Sequence, residues 1–211
     1  MQLYCVRHGE STYNAEGRVQ GRLEVPLSEL GKRQAKAVGT ALEGKPIEIL
    51  YASTQLRARE TACIVSAVLG VAVQPEPQLM EINVGVFQGH RRCELAELYP
   101  EAFAQWSSGD PNFMIPGGES RRQVAERGRE VFQRIRAAGH REVLIVAHGG
   151  ILLATMKLLA GIPLDQLPLS LENGSITTLQ WTADGPLEIL ALNQVDHLSS
   201  VGLAGGGDLS V

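Results

Sequence analysis

The chain has 211 residues, 44% of them hydrophobic, which fits one large domain or two small ones with a real core. A formal net charge of -4 and a pI near 5.8 argue against nucleic acid or an anionic membrane as the main partner, so any anion site must be local. Cys5, Cys63 and Cys93 include no CxxC pair and read as free thiols of a reducing compartment, with Cys5 and Cys63 in the core. A strand-like segment already begins at residue 2 and no run of about 18 apolar residues occurs, so neither a signal peptide nor a spanning helix is expected, and the expected location is cytoplasmic.

In chain order, QLYCV is the first short apolar run of strand type. Ser28 is an N-cap for a helix whose apolar positions Leu30, Ala35, Val38 and Leu42 end near Gly44. IEILYAS is a second strand, followed by a helix over Thr54 to Leu69 that stops at Gly70. Leu79-Met80 reads as strand, and residues 91–139 read as mostly helical, with a loop at GDPNFMIPGG, forming a cap inserted over one edge of a single domain that spans 1–211. EVLIVAH is a third strand and ILLATMKLLAG a helix behind it. GSITTLQW and PLEILALN form a hairpin around Ala183-Asp184-Gly185-Pro186, and a glycine-rich mobile tail occupies about 199–211. This alternation predicts a three-layer α/β/α fold with a mainly parallel central sheet.

Two of these strands run directly into histidine: CVRHGES at Arg7 and His8, and VLIVAHGG at His148. Ligands of open α/β sheets sit beyond the carboxyl ends of the strands, so the two histidines meet if their strands are neighbours. Gly149 and Gly150 open a helix whose free N–H groups suit an anion such as phosphate. Arg57, in the first turn of a helix directly after a strand, joins Arg7 in offering two forks of donors for phosphate oxygens, whereas Arg59 reads as a solvated helix face.

The ordered set of motifs resembles the histidine phosphatase superfamily, in its phosphoglycerate mutase-like branch: RHGEST..N at Arg7 to Asn14, Gln20-Gly21, PLSELG from Pro26, S.QLRARETA from Ser53, E.NVG.FQG from Glu81, GGES at Gly117 and AHGG ending at Gly150. Glu24 departs from the aspartate usual near that position. The resemblance implies a small phosphatase in which His8 attacks phosphorus in line and becomes a phosphohistidine, while Arg7, Arg57 and His148 neutralise the dianion. It implies that Glu81 protonates the leaving alkoxide, with Ile82, Val84 and Val86 desolvating it, and that Asn14, Gln20, Gly21 and Gly149 bind phosphate oxygens. His197, in a C-terminal HL motif like that of metal-independent phosphoserine phosphatases, is expected to hold a substrate carboxylate, with Arg91 or Arg92 at the same rim.

Rival chemistries lack their residues. No cysteine is followed six positions later by arginine, no DxD occurs among the five aspartates, there is no GxxxxGK[ST], and His90 and His140 lack zinc-ligand spacing and read as surface residues. The expectation is therefore a metal-independent phosphomonoesterase without cofactor, acting on a small phosphorylated metabolite. Phosphoserine comes first among the candidates, with α-ribazole or sugar phosphates and a cofactor-dependent phosphoglycerate mutase as the alternatives. Neither nucleic acid nor membrane is an expected partner, and the oligomeric state, a homodimer included, stays open.

Overall fold

In a computed structural model of the chain, residues 1–166, 170–182 and 185–203 are described. One six-stranded sheet runs through it: β1 (Gln2–Arg7), β2 (Ile49–Ala52), β3 (Val73–Pro75), β4 (Glu142–Ala147), β5 (Ile176–Trp181) and β6 (Leu187–Gln194). The spatial order is β3-β2-β4-β1-β5-β6. The first four strands are mutually parallel, and β5 pairs antiparallel with both β1 and β6. The expected mainly parallel α/β fold is present, and β5–β6 is the expected hairpin. Ala183 and Asp184 of its turn, and the tail beyond 203, lie outside the described residues.

Seven α-helices occur among the described residues: α1 (Thr12–Ala15), α2 (Glu29–Leu42), α3 (Leu56–Leu69), α4 (Leu95–Leu98), α5 (Pro100–Ser107), α6 (Arg121–Ala137) and α7 (Gly149–Leu159). Side chains alternate across a strand, and here the alternation sorts two cores. Tyr4, Val6, Leu144 and Val146 face α2 and α3, meeting Val38, Leu42, Ala58, Ala62 and Val65. Leu3, Cys5, Val143 and Ile145 belong to the opposite core, with Val124, Val131 and Phe132 of α6 and Ile151 and Leu152 of α7.

Local chemistry sets the helix ends. The Ser28 hydroxyl accepts from Gly31 N at 3.0 Å and caps α2, while α3 ends at Gly70 in the left-handed conformation, φ 70°. The α3 helix starts two residues later than its periodicity suggests. Gln55 makes no side-chain cap, and Glu24 supplies one instead, its Oε2 accepting from Leu56 N at 2.9 Å. The departure from aspartate at position 24 thus serves the start of the helix that carries Arg57.

Three expectations are corrected, and one strand is added to them. Cys63 is exposed on α3, and only Cys5 is a core cysteine. Leu79 ends a 3-10 turn, Pro77–Leu79, where the leading proline sets the local φ, so no strand forms there. The short edge strand β3 was not anticipated, because three residues that end in proline carry no periodicity. The stretch 91–139 also divides: α4, α5 and the loop after them are the irregular insertion, whereas α6 packs along α7 in the layer that covers the sheet.

The start of α2 abuts the segment after β1. A Cβ built on Gly31 falls 2.0 Å from the Glu10 carbonyl oxygen, and one on Gly9 falls 2.3 Å from Gly31 O. Helix propensity alone favours Gly31→Ala by about 1 kcal/mol, but forcing a methyl into backbone costs about 1–3 kcal/mol. Gly31→Ala should therefore lower stability by urea unfolding and also reduce turnover, because Glu10 lies two residues from His8. A stabilised, fully active variant would contradict the close contact.

Candidate active site

β1 and β4 pair with Arg7 opposite Ala147, so the next residue on each strand is a histidine. His8 and His148 are both fully buried, and their rings lie 5.1 Å apart, edge to face at 62°. The tautomer of His8 follows from its neighbours. Nδ1 sits 2.7 Å from the Gly9 carbonyl, which can only accept, so Nδ1 carries the proton. Nε2 then has a lone pair, and it accepts from Arg57 Nε at 3.1 Å. Burial first, then the charges of Arg57 and Arg7, hold the His8 pKa well below its ordinary 6.5, against the opposing pull of the Gly9 bond. His148 is likewise held well below 6.5 by burial and then by Arg57, with smaller contributions from His8, Arg7 and Arg127. Its Nε2 lies 2.8 Å from the Ser53 hydroxyl, and its Nδ1 has no hydrogen-bond partner among the described residues.

The two arginines are held by backbone carbonyls. Arg57 donates through Nη1 to Leu23 O at 3.0 Å and through Nη2 to Gly21 O at 2.9 Å. Arg7 donates to Leu171 O, and Gly149, with no side chain of its own, leaves the Arg7 stem within 3.6 Å of where a Cβ would be. Both guanidiniums are buried beside the imidazoles.

Glu81 is no surface carboxylate; it is 7% exposed and is clamped by main chain. Its Oε1 accepts from Ile82 N and Ile151 N, both at 2.9 Å, and its Oε2 from Gly150 N at 3.0 Å. The free N–H groups at the start of α7, expected to take a phosphate, are thus occupied by the protein's own carboxylate. Such donors favour the charged form, opposing the desolvation expected from the apolar neighbours.

Asn14 is fully buried; its Oδ1 accepts from Ser11 N at 3.1 Å, and its Nδ2 has no protein partner among the described residues. Gln20 meets Ser11 Oγ through Oε1 at 2.7 Å, and its Nε2 is likewise buried without a partner. Gly21, at φ 52° and crowded by Val84 and Gln88, contributes its carbonyl to Arg57 Nη2 and to Gln55 Nε2, both at 2.9 Å. His197 is half-buried, with Nε2 bonded to Gly174 O at 2.9 Å. Arg91 and Arg92 are exposed and lie beside Arg18 and Gly17.

Sequence reasoning gave no role to Gln55, Arg127 or Asn173. Gln55 Oε1 accepts from Glu81 N at 2.7 Å, and Arg127 donates to the carbonyls of Gln78 and Met80, so both fix the segment that carries Glu81. Only a contact across the fold reveals such residues.

A mainly parallel sheet gathers two buried histidines and two buried arginines at its strand ends, a setting suited to a phosphate group. The sequence matches the histidine phosphatase superfamily (branch 1) over residues 3–194, and the chain belongs to that family as a phosphatase-type enzyme of phosphoric monoesters. It is 36% identical to the metal-independent phosphoserine phosphatase of Arabidopsis thaliana, over 95% of this chain and 84% of that protein. It is 31% identical to a "probable phosphoglycerate mutase" of Photorhabdus laumondii, over 96% and 97%. The solved mycobacterial glucosyl-3-phosphoglycerate phosphatase superposes with a TM-score of 0.82 at 30% identity, covering 91% of this chain and 98% of that one.

The buried histidines predict a pH dependence of stability. Both are neutral when folded and titrate near 6.5 when unfolded, so below that pH the unfolded state binds more protons. Stability is full above about pH 7 and falls as the pH drops through 6.5, by up to about 1.4 kcal/mol per pH unit for each histidine. Denaturant unfolding between about pH 8 and pH 5 should show a shallower fall for His8→Asn than for the wild type. Parallel curves would contradict a neutral buried His8.

Proposed function

We propose that the protein is a metal-independent phosphomonoesterase that works through a phosphohistidine at His8, on a small phosphorylated acid, with phosphoserine first. The observation that carries this reading is the fixed tautomer of His8, whose Gly9 bond at Nδ1 leaves an Nε2 lone pair in a buried site lined by cations. A phosphate dianion repels nucleophiles until it is neutralised; Arg7 and Arg57 supply that neutralisation, and the neutral His148 adds a hydrogen-bond donor. Arriving phosphate oxygens draw Arg57 away from Nε2 and free the lone pair for in-line attack. With Ser53 donating to Nε2 of His148, the Nδ1–H of that ring is left for a phosphoryl oxygen, and the unpartnered Nδ2 of Asn14 and Nε2 of Gln20 serve the remaining oxygens.

Glu81 supplies the proton to the leaving alkoxide and later receives one from the attacking water. Its three amide donors favour the carboxylate. A bound phosphate dianion reverses that balance, because a second negative charge nearby favours the neutral carboxyl. Substrate binding itself then arms the acid.

The similarity to the plant phosphoserine phosphatase supports phosphoserine as substrate. His197 enters this reading through Nδ1, since Nε2 is engaged with Gly174. The three free cysteines support a reducing, cytoplasmic setting. Among the described residues no helix is long and apolar enough to cross a membrane.

The test is phosphate release from a panel of phosphomonoesters in EDTA, with phosphoserine favoured over neutral sugar phosphates. Isomerisation of phosphoglycerate without phosphate release would replace the phosphatase reading by the mutase one. Glu81→Gln should slow alkyl phosphates by about two to four orders of magnitude. It should slow the phosphorylation step much less with p-nitrophenyl phosphate, whose leaving group needs no proton. Equal losses on both would remove the acid role.

A further inference from the structure

The turn before β5 reaches back to the end of β1. Gly174 N donates to Arg7 O at 3.0 Å and His8 O at 3.2 Å, and Ser175 O accepts from Arg7 N at 3.3 Å. The turn is itself held from outside: Glu172 N donates to Asn193 Oδ1 at 2.7 Å, and His197 bonds Gly174 O. At its centre is Asn173, a buried amide. Its Nδ2 lies 3.1 Å from His8 O and 3.2 Å from Asn14 Oδ1, with Gly9 O farther off at 3.5 Å. One NH2 group therefore faces the backbone of the reacting histidine and the side chain of the buried Asn14.

The direction of these bonds is fixed by the partners. Ser11 N donates to Asn14 Oδ1, so that atom is oxygen, and the atom of Asn173 facing it must be the nitrogen. The His8 carbonyl requires a donor as well. Asn14 Oδ1 thus accepts from Ser11 N and Asn173 Nδ2, while the single Ser11 hydroxyl proton goes to Gln20 Oε1, and a rotated Asn14 would set NH2 against both Ser11 N–H and Asn173 NH2. Asn14 must then turn its Nδ2, a donor, away from these two groups.

We infer that Asn173 is a positioning residue with two tasks: it pins the main chain of His8, and, as a second donor beside Ser11 N–H, it holds the polarity of Asn14 so that N–H, not C=O, is available to the phosphoryl group. The inference rests on the reading of His8 as the phosphorylated residue. Asn173 touches no substrate, and it acts through His8 and Asn14. Small displacements of a reacting group cost as much as about a hundredfold in rate, so a single buried amide suffices to matter.

The test compares Asn173→Ala and the isosteric Asn173→Asp with wild type, using single-turnover phosphorylation of His8 by p-nitrophenyl phosphate and the Kd of inorganic phosphate. Both variants should phosphorylate His8 about ten- to a hundredfold more slowly and bind phosphate about tenfold more weakly. Asp keeps the volume while replacing the donor by an acceptor, so it reads the hydrogen bonds even if the Ala variant fails to fold. In an Asn14→Ala background, Asn173→Ala should add little further loss of phosphate affinity but should still slow His8 phosphorylation. A purely structural residue would not produce that split. A folded Asp variant with wild-type rate and affinity, or affinity losses that simply add in the double variant, would overturn the inference. Wild-type protein that carries no phosphate on His8 would instead overturn the functional reading beneath it.

Discussion

The parallel pairing of β1 with β4 is the constraint on which the site depends. With Arg7 opposite Ala147, the strands deliver His8 and His148 to one point although 140 positions separate them in the chain. The same pairing buries both rings. Apolar layers on the two faces, Tyr4, Val6 and Val146 on one and Cys5, Ile145 and Ala147 on the other, enclose the strands up to their ends. Burial is the largest cause that keeps each imidazole neutral, and a neutral imidazole is the form that can attack phosphorus.

Polar groups gathered in so buried a place must satisfy one another. Arg57 donates to His8, Glu81 takes the amides that open α7, and Gly21 O holds the Arg57 fork. In the proposed mechanism an oxygen dianion is a stronger partner for Arg57 than an imidazole lone pair, and the exchange bares Nε2 of His8. Asn14 and Gln20 differ, because their amide nitrogens are buried without protein partners among the described residues. A buried donor left unbonded costs about 1–3 kcal/mol, so an anion that meets these two gains more than its own hydrogen bonds suggest.

Much of this was legible in the sequence, for reasons of locality. The strand periodicity of residues 2–7 and 142–147, the Ser28 cap and the glycine at position 70 each act within a few residues, and each appears in the structure as read. His8, Arg7, Arg57 and His148 were legible because each lies where a strand ends or the next helix begins. The residues that escaped act across the fold. Asn173 lies in a turn with no periodicity, and its meaning comes from two carbonyl oxygens more than 150 positions away. Gln55 and Arg127 hold the Glu81 segment, again through contacts no local pattern predicts. The start of α7 was expected to take a phosphate, but its Gly150 and Ile151 amides bind Glu81, which comes from a distant loop. Cys63 was misplaced in the core because a thiol on an amphipathic helix has no sequence mark of its face.

In the proposed mechanism the Gly9 carbonyl, by holding the proton on Nδ1, makes Nε2 of His8 the reacting atom. NMR of the trapped phosphoenzyme, with phosphorus and nitrogen-labelled histidine, tells the two phosphohistidine isomers apart. A single phosphohistidine is expected, at His8, with phosphorus bonded to Nε2. Phosphate on Nδ1 of His8, or on any other residue, would contradict it.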